Sequence, residues 1–145
     1  MTPAVRGVFL AITLLALAGI AVSSVSLYHH FQNSKTDYCD FGEKFNCDIV
    51  NRSVYSTVFG IPVALIGILG YIAIGVLATL YRGQTETPKL LLGGSVAGLG
   101  FALYLTYIEG FVLGTWCILC LSSLTIIVLI TILASFIMAQ SMRRA

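Results

Sequence analysis

Charged residues are scarce in this sequence of 145 amino acids. Eight residues are Lys or Arg and six are Asp or Glu, whereas 58% are hydrophobic and the mean hydropathy is +0.96. A soluble domain carries charge on about a quarter of its residues, so the shortage excludes a surface covered by water and indicates contact with lipid. The formal net charge is only +2, and no Lys- or Arg-rich stripe exists beyond Arg143 and Arg144, which excludes nucleic acid as a partner.

Long uncharged runs predict an all-α integral membrane protein with four spanning helices in a single domain, residues 1–145. Residues 7–28 would form a helix of about 33 Å, which matches the hydrocarbon thickness and exceeds the apolar core of a cleaved signal peptide. The 29 uncharged residues between Arg52 and Arg82 are too many for one upright helix, and Gly60-Ile61-Pro62 predicts the break. We therefore predict spans at residues 7–28, 62–81, 90–108 and 116–138, with a short interfacial helix at 54–59.

The distribution of Lys and Arg predicts the orientation of this bundle. The cations outside the long loop share one side, which the positive-inside rule makes cytoplasmic; they are Arg6, Arg82, Lys89, Arg143 and Arg144. Both termini are then cytoplasmic. The long loop at residues 29–53 and the turn at residues 109–115 face the exoplasmic side.

All four cysteines fall on that exoplasmic side. Cys39 and Cys47 lie in the long loop, and Cys117 and Cys120 form a Cys-x-x-Cys motif at the outer end of the fourth span. Thr115 suits an N-cap and would place Cys117 in the first turn, where free N–H groups and the helix dipole favour the thiolate. Cys120 would lie one turn deeper on the same face. Such a pair could pass electrons between a soluble disulfide system and a lipid-soluble oxidant.

Two other interpretations of the cysteines remain open. A zinc site normally takes two close pairs of thiolates, and the spacing between Cys39 and Cys47 does not supply the second pair, so we expect no metal. The alternative is a noncatalytic four-helix scaffold with two structural disulfides. A bond between Cys117 and Cys120 would constrain almost no chain, however, which makes stability a poor reason for it.

The cysteines belong to a longer ordered pattern between about residues 38 and 121. It consists of Cys39, Cys47, Ser53, the segment Phe59-Gly60-Ile61-Pro62, and finally Cys117 and Cys120. This pattern resembles the vitamin K epoxide reductase family, including its bacterial members. The resemblance implies a four-helix bundle around a quinone and a disulfide-forming enzyme that oxidises a thioredoxin-like partner while it reduces the quinone.

The resemblance also implies a role for each site residue. Cys39 would exchange with the partner, Cys47 would pass electrons to Cys117, and Cys120 would meet a quinone of the ubiquinone, menaquinone or vitamin K type. Ser53 would border the quinone, with the segment that ends at Phe59 behind it. Ser56, Phe59 and Leu124 are further candidates for quinone contacts. Trp116 adjoins the Cys-x-x-Cys motif and would either belong to an outer aromatic belt or line the quinone pocket.

Two departures from the family pattern refine these expectations. Vertebrate members have an Asn before the second span and a Tyr four residues after the last cysteine, where this chain has Ser56 and Leu124. Without those donors a plain quinone is the favoured substrate, and a vertebrate-type epoxide reductase is the alternative. Many bacterial members carry a fused thioredoxin-like domain, and we expect this protein to use a separate thioredoxin-like or DsbA-like partner instead. The expected location is a bacterial plasma membrane, or the ER membrane in a eukaryote.

The third predicted span carries small residues at helical spacing. Gly93, Gly94, Ala97 and Gly98 form a stripe of the kind that lets two membrane helices approach closely. We interpret this stripe as a helix-packing surface.

Overall fold

The computed structural model describes residues 3–31, 57–58, 60–81, 83–113 and 118–144, and these residues are almost entirely helical. The long helices are α1 (Pro3–Phe31), α2 (Val63–Thr79), α3 (Thr87–Tyr107) and α4 (Ile118–Arg144). A π-helical segment, Ile108–Leu113, continues α3. The predicted all-helical class is therefore confirmed for this part of the chain.

Three of these helices are long and apolar enough to cross a membrane. They include Pro3–Tyr28 of α1, Thr87–Tyr107, and Ile118–Arg143 of α4. Helix α2 contains no charged residue but has only 17 residues, which corresponds to about 26 Å and falls just short of the hydrocarbon thickness. The count of four spans, which requires α2 to cross as well, stays a prediction.

A small β-hairpin precedes α2. Thr57–Val58 (β1) pairs antiparallel with Ile61–Pro62 (β2), and Gly60 turns the chain with a φ of 81°, a conformation that favours glycine. The predicted interfacial helix is therefore wrong at Thr57 and Val58, because the turn at Gly60 folds the chain back on itself. Residues 54–56 and 59 lie outside the described residues. Helix α2 begins directly after Pro62, at the break that the sequence predicts.

Helices α1 and α2 run antiparallel and approach closely where one of them carries glycine. A Cβ atom on Gly67 would lie 3.0 Å from the hydroxyl oxygen of Ser23, and a Cβ atom on Gly75 would lie 3.7 Å from Ala16. Both contacts fit one antiparallel register, because Gly75 lies eight residues after Gly67 on α2 and Ala16 lies seven residues before Ser23 on α1. Small residues therefore fix the alignment of this helix pair, as expected within a membrane.

Helices α3 and α4 form the second antiparallel pair. A Cβ atom on Gly98 would lie 3.3 Å from the side chain of Ile127, and the hydroxyl of Thr131 donates to the carbonyl of Ser95 at 3.4 Å. The predicted packing role is supported at Gly98. At Gly93 and Gly94, by contrast, an added Cβ atom would meet nothing within 4 Å, so these two glycines do not make a close helix contact.

The buried core occupies the half of the bundle that lies away from Cys120. Its residues recur every three or four positions along α1 and α4, which is the spacing of one helix face. On these two helices they are Val5, Phe9, Ile12, Ala16, Ile127, Ile130, Ala134 and Ile137. The other half of the bundle contains the start of α4 and positions the site described next.

Candidate functional site

A cavity of ≈ 400 Å³ lies between the four helices. Its described lining is apolar except for five side chains, and none of these carries a charge; they are Ser23, Ser26, Tyr71, Cys120 and Ser123. An apolar cavity of this size with a few polar groups is typical of a site for a small lipophilic molecule.

Cys120 brings redox chemistry to this cavity. It is the third residue of α4, which is described from Ile118 onwards, and it is half-buried. It lines the cavity together with Leu119 and Ser123 of the same helix. The sequence predicts that Cys120 faces an apolar ligand, and its position among apolar lining residues is consistent with that role. A thiolate here could contact a ring bound between the helices.

Tyr71 joins three helices beside the cysteine. Its side chain is 5% exposed, and its hydroxyl donates to the carbonyl of Ser123 at 3.0 Å and lies 2.8 Å from the hydroxyl of the same serine. The ring packs against α1 at Gly19, where an added Cβ atom would lie 2.5 Å from the ring. Glycine at position 19 is therefore required for Tyr71 of α2 to reach Ser123 of α4.

Gly19→Ala is expected to destabilise the protein by about 1–3 kcal/mol, because the new methyl group displaces the Tyr71 ring and breaks its bonds to Ser123. Thermal unfolding of the purified protein in detergent micelles measures the change. Gly7→Ala is the matched control on the same helix, since its Cβ atom would meet nothing within 4 Å. Equal unfolding temperatures for the two variants would contradict the role assigned to Gly19.

Two of the predicted site residues fall within the described part of the chain. Cys120 lines the cavity, whereas Leu124 packs against the buried core. The other seven lie outside the described residues, and their roles stay predictions; they are Cys39, Cys47, Ser53, Ser56, Phe59, Trp116 and Cys117.

Four polar residues that line the cavity were not among the site residues predicted from the sequence. Tyr71, Ser123, Ser23 and Ser26 each lie inside a long apolar run. A polar group within a membrane-spanning segment is costly and commonly marks a functional position. The hydroxyl groups within these apolar runs are thus the feature of the sequence that could have indicated the cavity. Serines are frequent in such helices, however, and their positions in the sequence do not show which of them face a cavity.

The chain matches the sequence model described as the vitamin K epoxide reductase family over residues 10–135. The match includes most of α1 and α4 and all of α2 and α3, so it covers every helix that lines the cavity. Members of this family are membrane oxidoreductases that use quinones as substrates. With three helices suited to crossing a bilayer, this protein is an integral membrane protein that belongs to the vitamin K epoxide reductase family.

Proposed function

We propose that this protein is a thiol:quinone oxidoreductase in which Cys120 meets a quinone inside the cavity. One observation carries the proposal: Cys120, the only cysteine among the described residues, lines a largely apolar cavity between four helices. A quinone ring is flat and apolar and bears two oxygen acceptors. It therefore matches a cavity that combines apolar walls with a few hydroxyl groups.

The proposed reaction converts the thiols of Cys117 and Cys120 to a disulfide while the quinone becomes a hydroquinone. Two electrons pass from sulfur to the ring, and the two protons of the thiols are matched by two protons taken up at the ring oxygens. The helix N-terminus favours a negative charge on sulfur at either cysteine of the pair, so it does not select Cys120 over Cys117. We assign the quinone-facing role to Cys120 because it lines the cavity and a thiolate can reduce a quinone only in contact with it.

A relay through the loop cysteines would reduce the new disulfide. A thioredoxin-like partner first reduces the disulfide between Cys39 and Cys47. The thiolate of Cys47 then attacks the sulfur of Cys117 and releases Cys120 as a thiolate. Cys39 finally attacks Cys47, which restores the loop disulfide and frees Cys117. One turnover thus oxidises one partner dithiol and reduces one quinone.

The relay requires that all four cysteines share one side of the membrane. We place them on the exoplasmic side and both termini in the cytoplasm, because the exposed cations near the helix ends, such as Arg6 and Arg143, lie at the opposite end of the bundle from Cys120. A membrane-impermeant maleimide should label reduced cysteines from outside intact cells or spheroplasts. Labelling only after lysis would reject this orientation.

Purified protein in lipid nanodiscs, supplied with a reduced thioredoxin-like protein, tests the proposed activity. We expect hydroquinone and partner disulfide to form in equal amounts with ubiquinone or menaquinone as acceptor. Faster turnover of vitamin K epoxide would instead support a vertebrate-type reductase. If no acceptor is reduced although the partner forms mixed disulfides with the chain, the assignment of a quinone to the cavity is wrong.

A further inference from the structure

Two buried serine hydroxyls line the cavity without a hydrogen-bond partner among the described residues. Ser23 and Ser26 are 6% and 7% exposed, lie one turn apart on α1, and both border the cavity. By contrast, Thr13 and Ser24 on the same helix donate to the carbonyls four residues earlier, at 2.9 and 2.7 Å. A buried hydroxyl without a partner costs free energy, and a ligand in the cavity would remove that cost.

The other hydroxyl groups of the cavity are already satisfied. Tyr71 and Ser123 bond to each other, and Tyr71 also has the Ser123 carbonyl as an acceptor. The described lining contains no charged or amide side chain that could recognise a polar ligand atom. The open donors of the described cavity wall are therefore Ser23 and Ser26.

Ser23 lies at about the same level in the bundle as Cys120, and Ser26 lies one helical turn closer to the end of the bundle at which α4 begins. Tyr71 marks a common level, because its ring packs on Gly19 of α1 and its hydroxyl reaches Ser123 of α4. Helix α1 runs towards the end of the bundle at which α2 and α4 begin. Ser23 therefore lies one turn closer to that end than Gly19, and Cys120 lies about one turn closer to it than Ser123. A ring held by the serines would thus lie between α1 and the sulfur of Cys120, inside the cavity that both helices line.

We propose that Ser23 and Ser26 hydrogen-bond a ring oxygen of the quinone and hold the ring against Cys120. The proposal rests on the function proposed above and assigns the residues that recognise its substrate. A serine hydroxyl can donate to the carbonyl oxygen of the quinone and accept from the hydroxyl of the hydroquinone. The same pair can therefore bind the substrate before reduction and the product after it.

The vibrational spectrum of the bound quinone tests this contact directly. The probe is a short-tailed benzoquinone with ¹³C at its carbonyl carbons, bound to the Cys120→Ser protein so that no electrons are transferred. We expect the infrared band of one carbonyl to lie lower than in an alkane solvent, and to return towards the alkane position in the Ser23→Ala/Ser26→Ala double variant. The Kd for the quinone should rise about fivefold for each hydroxyl removed.

Two controls separate hydrogen bonding from general damage. Ser24→Ala removes a hydroxyl that bonds to its own helix and should change neither the band nor the Kd. Ser26→Thr keeps a hydroxyl and should retain the lowered band. In the catalytically competent protein, the double alanine variant should raise the KM for quinone and leave the KM for the reduced partner unchanged.

The outcomes distinguish this proposal from the function on which it rests. A lowered carbonyl band that persists in the double alanine variant, with an unchanged Kd, would overturn the role of the two serines while a quinone site stands. Failure of the quinone to bind even to the protein with both serines present would overturn the proposed function itself. Alanine favours helix, so the double variant is expected to fold, and its circular dichroism spectrum verifies this.

Discussion

Cys120→Ser is expected to lower the rate of quinone reduction by at least about 10⁴-fold, since removal of a catalytic nucleophile can cost on the order of 10⁶-fold. A serine hydroxyl does not transfer an electron pair to a quinone or close a disulfide, so no residual route passes through position 120. Turnover of quinone by the purified protein with a reduced thioredoxin-like partner measures the loss.

The control for this variant lies in the same turn of helix. The hydroxyl of Ser122 donates to the carbonyl of Ile118 at 2.8 Å and is exposed, so Ser122→Ala perturbs the first turn of α4 without touching the cavity lining. We expect its turnover to stay within about twofold of the unchanged protein, as is usual for surface substitutions. A comparable loss in both variants would indicate that the start of α4, and not the sulfur of Cys120, limits the reaction.

Spectroscopy identifies which cysteine touches the quinone. A thiolate gives a charge-transfer band with a quinone only when the two are in contact, and Cys120 is the cysteine that lines the cavity among the described residues. Cys117→Ala with bound quinone should therefore show such a band, whereas Cys120→Ala should lack it. The opposite pattern would assign the quinone to Cys117 and reverse the order of the proposed pair.

Hydropathy and the positions of Gly and Pro predicted most of the helical framework. Uncharged runs predicted the helices because the backbone of a membrane-spanning segment must satisfy its own hydrogen bonds, and Pro62 predicted where α2 begins. The hairpin at Thr57–Val58 was missed. Two residues are too few for a strand pattern to be recognised, and the turn depends on the positive φ of Gly60, which the sequence permits but does not require.

The site was predictable from the sequence to a lesser degree. The Cys-x-x-Cys motif pointed to Cys120 because a thiol at a helix start has recognisable chemistry. The contacts of Tyr71 were not predictable, since they depend on Gly19 of one helix and Ser123 of another meeting at the same level. Periodicity shows which residues share a helix face, but not what lies opposite that face.

The stripe of small residues on α3 illustrates this limit. Gly98 packs close to Ile127, as a small residue at a helix contact should, whereas Gly94 has open space beside it and lines the cavity. The same spacing therefore has two physical consequences within one turn. At Gly98 the absence of a side chain brings two helices together, and at Gly94 it leaves room for a ligand.

The position of Gly94 indicates which part of a quinone passes it. The neighbouring Ser95 lies beside Thr131 of α4, and Thr131 follows Cys120 by about three helical turns, or about 16 Å. A ring that contacts Cys120 does not extend that far. If the ring binds at Cys120, the isoprenoid tail is the part of the molecule that reaches Gly94.

Gly94→Phe is therefore expected to raise the KM for a long-tailed quinone about tenfold or more and to leave the KM for a tailless quinone nearly unchanged. The phenyl group would occupy the space of the tail, with an effect comparable to overfilling a packed core, and it lies too far from Cys120 to disturb the ring. Steady-state kinetics with ubiquinones of increasing tail length measure the difference.

Gly93→Phe is the matched control, because an added side chain there also meets nothing within 4 Å but position 93 is not part of the cavity lining. Equal losses for tailed and tailless quinones in Gly94→Phe, or equal losses in both variants, would show that the tail does not run along α3.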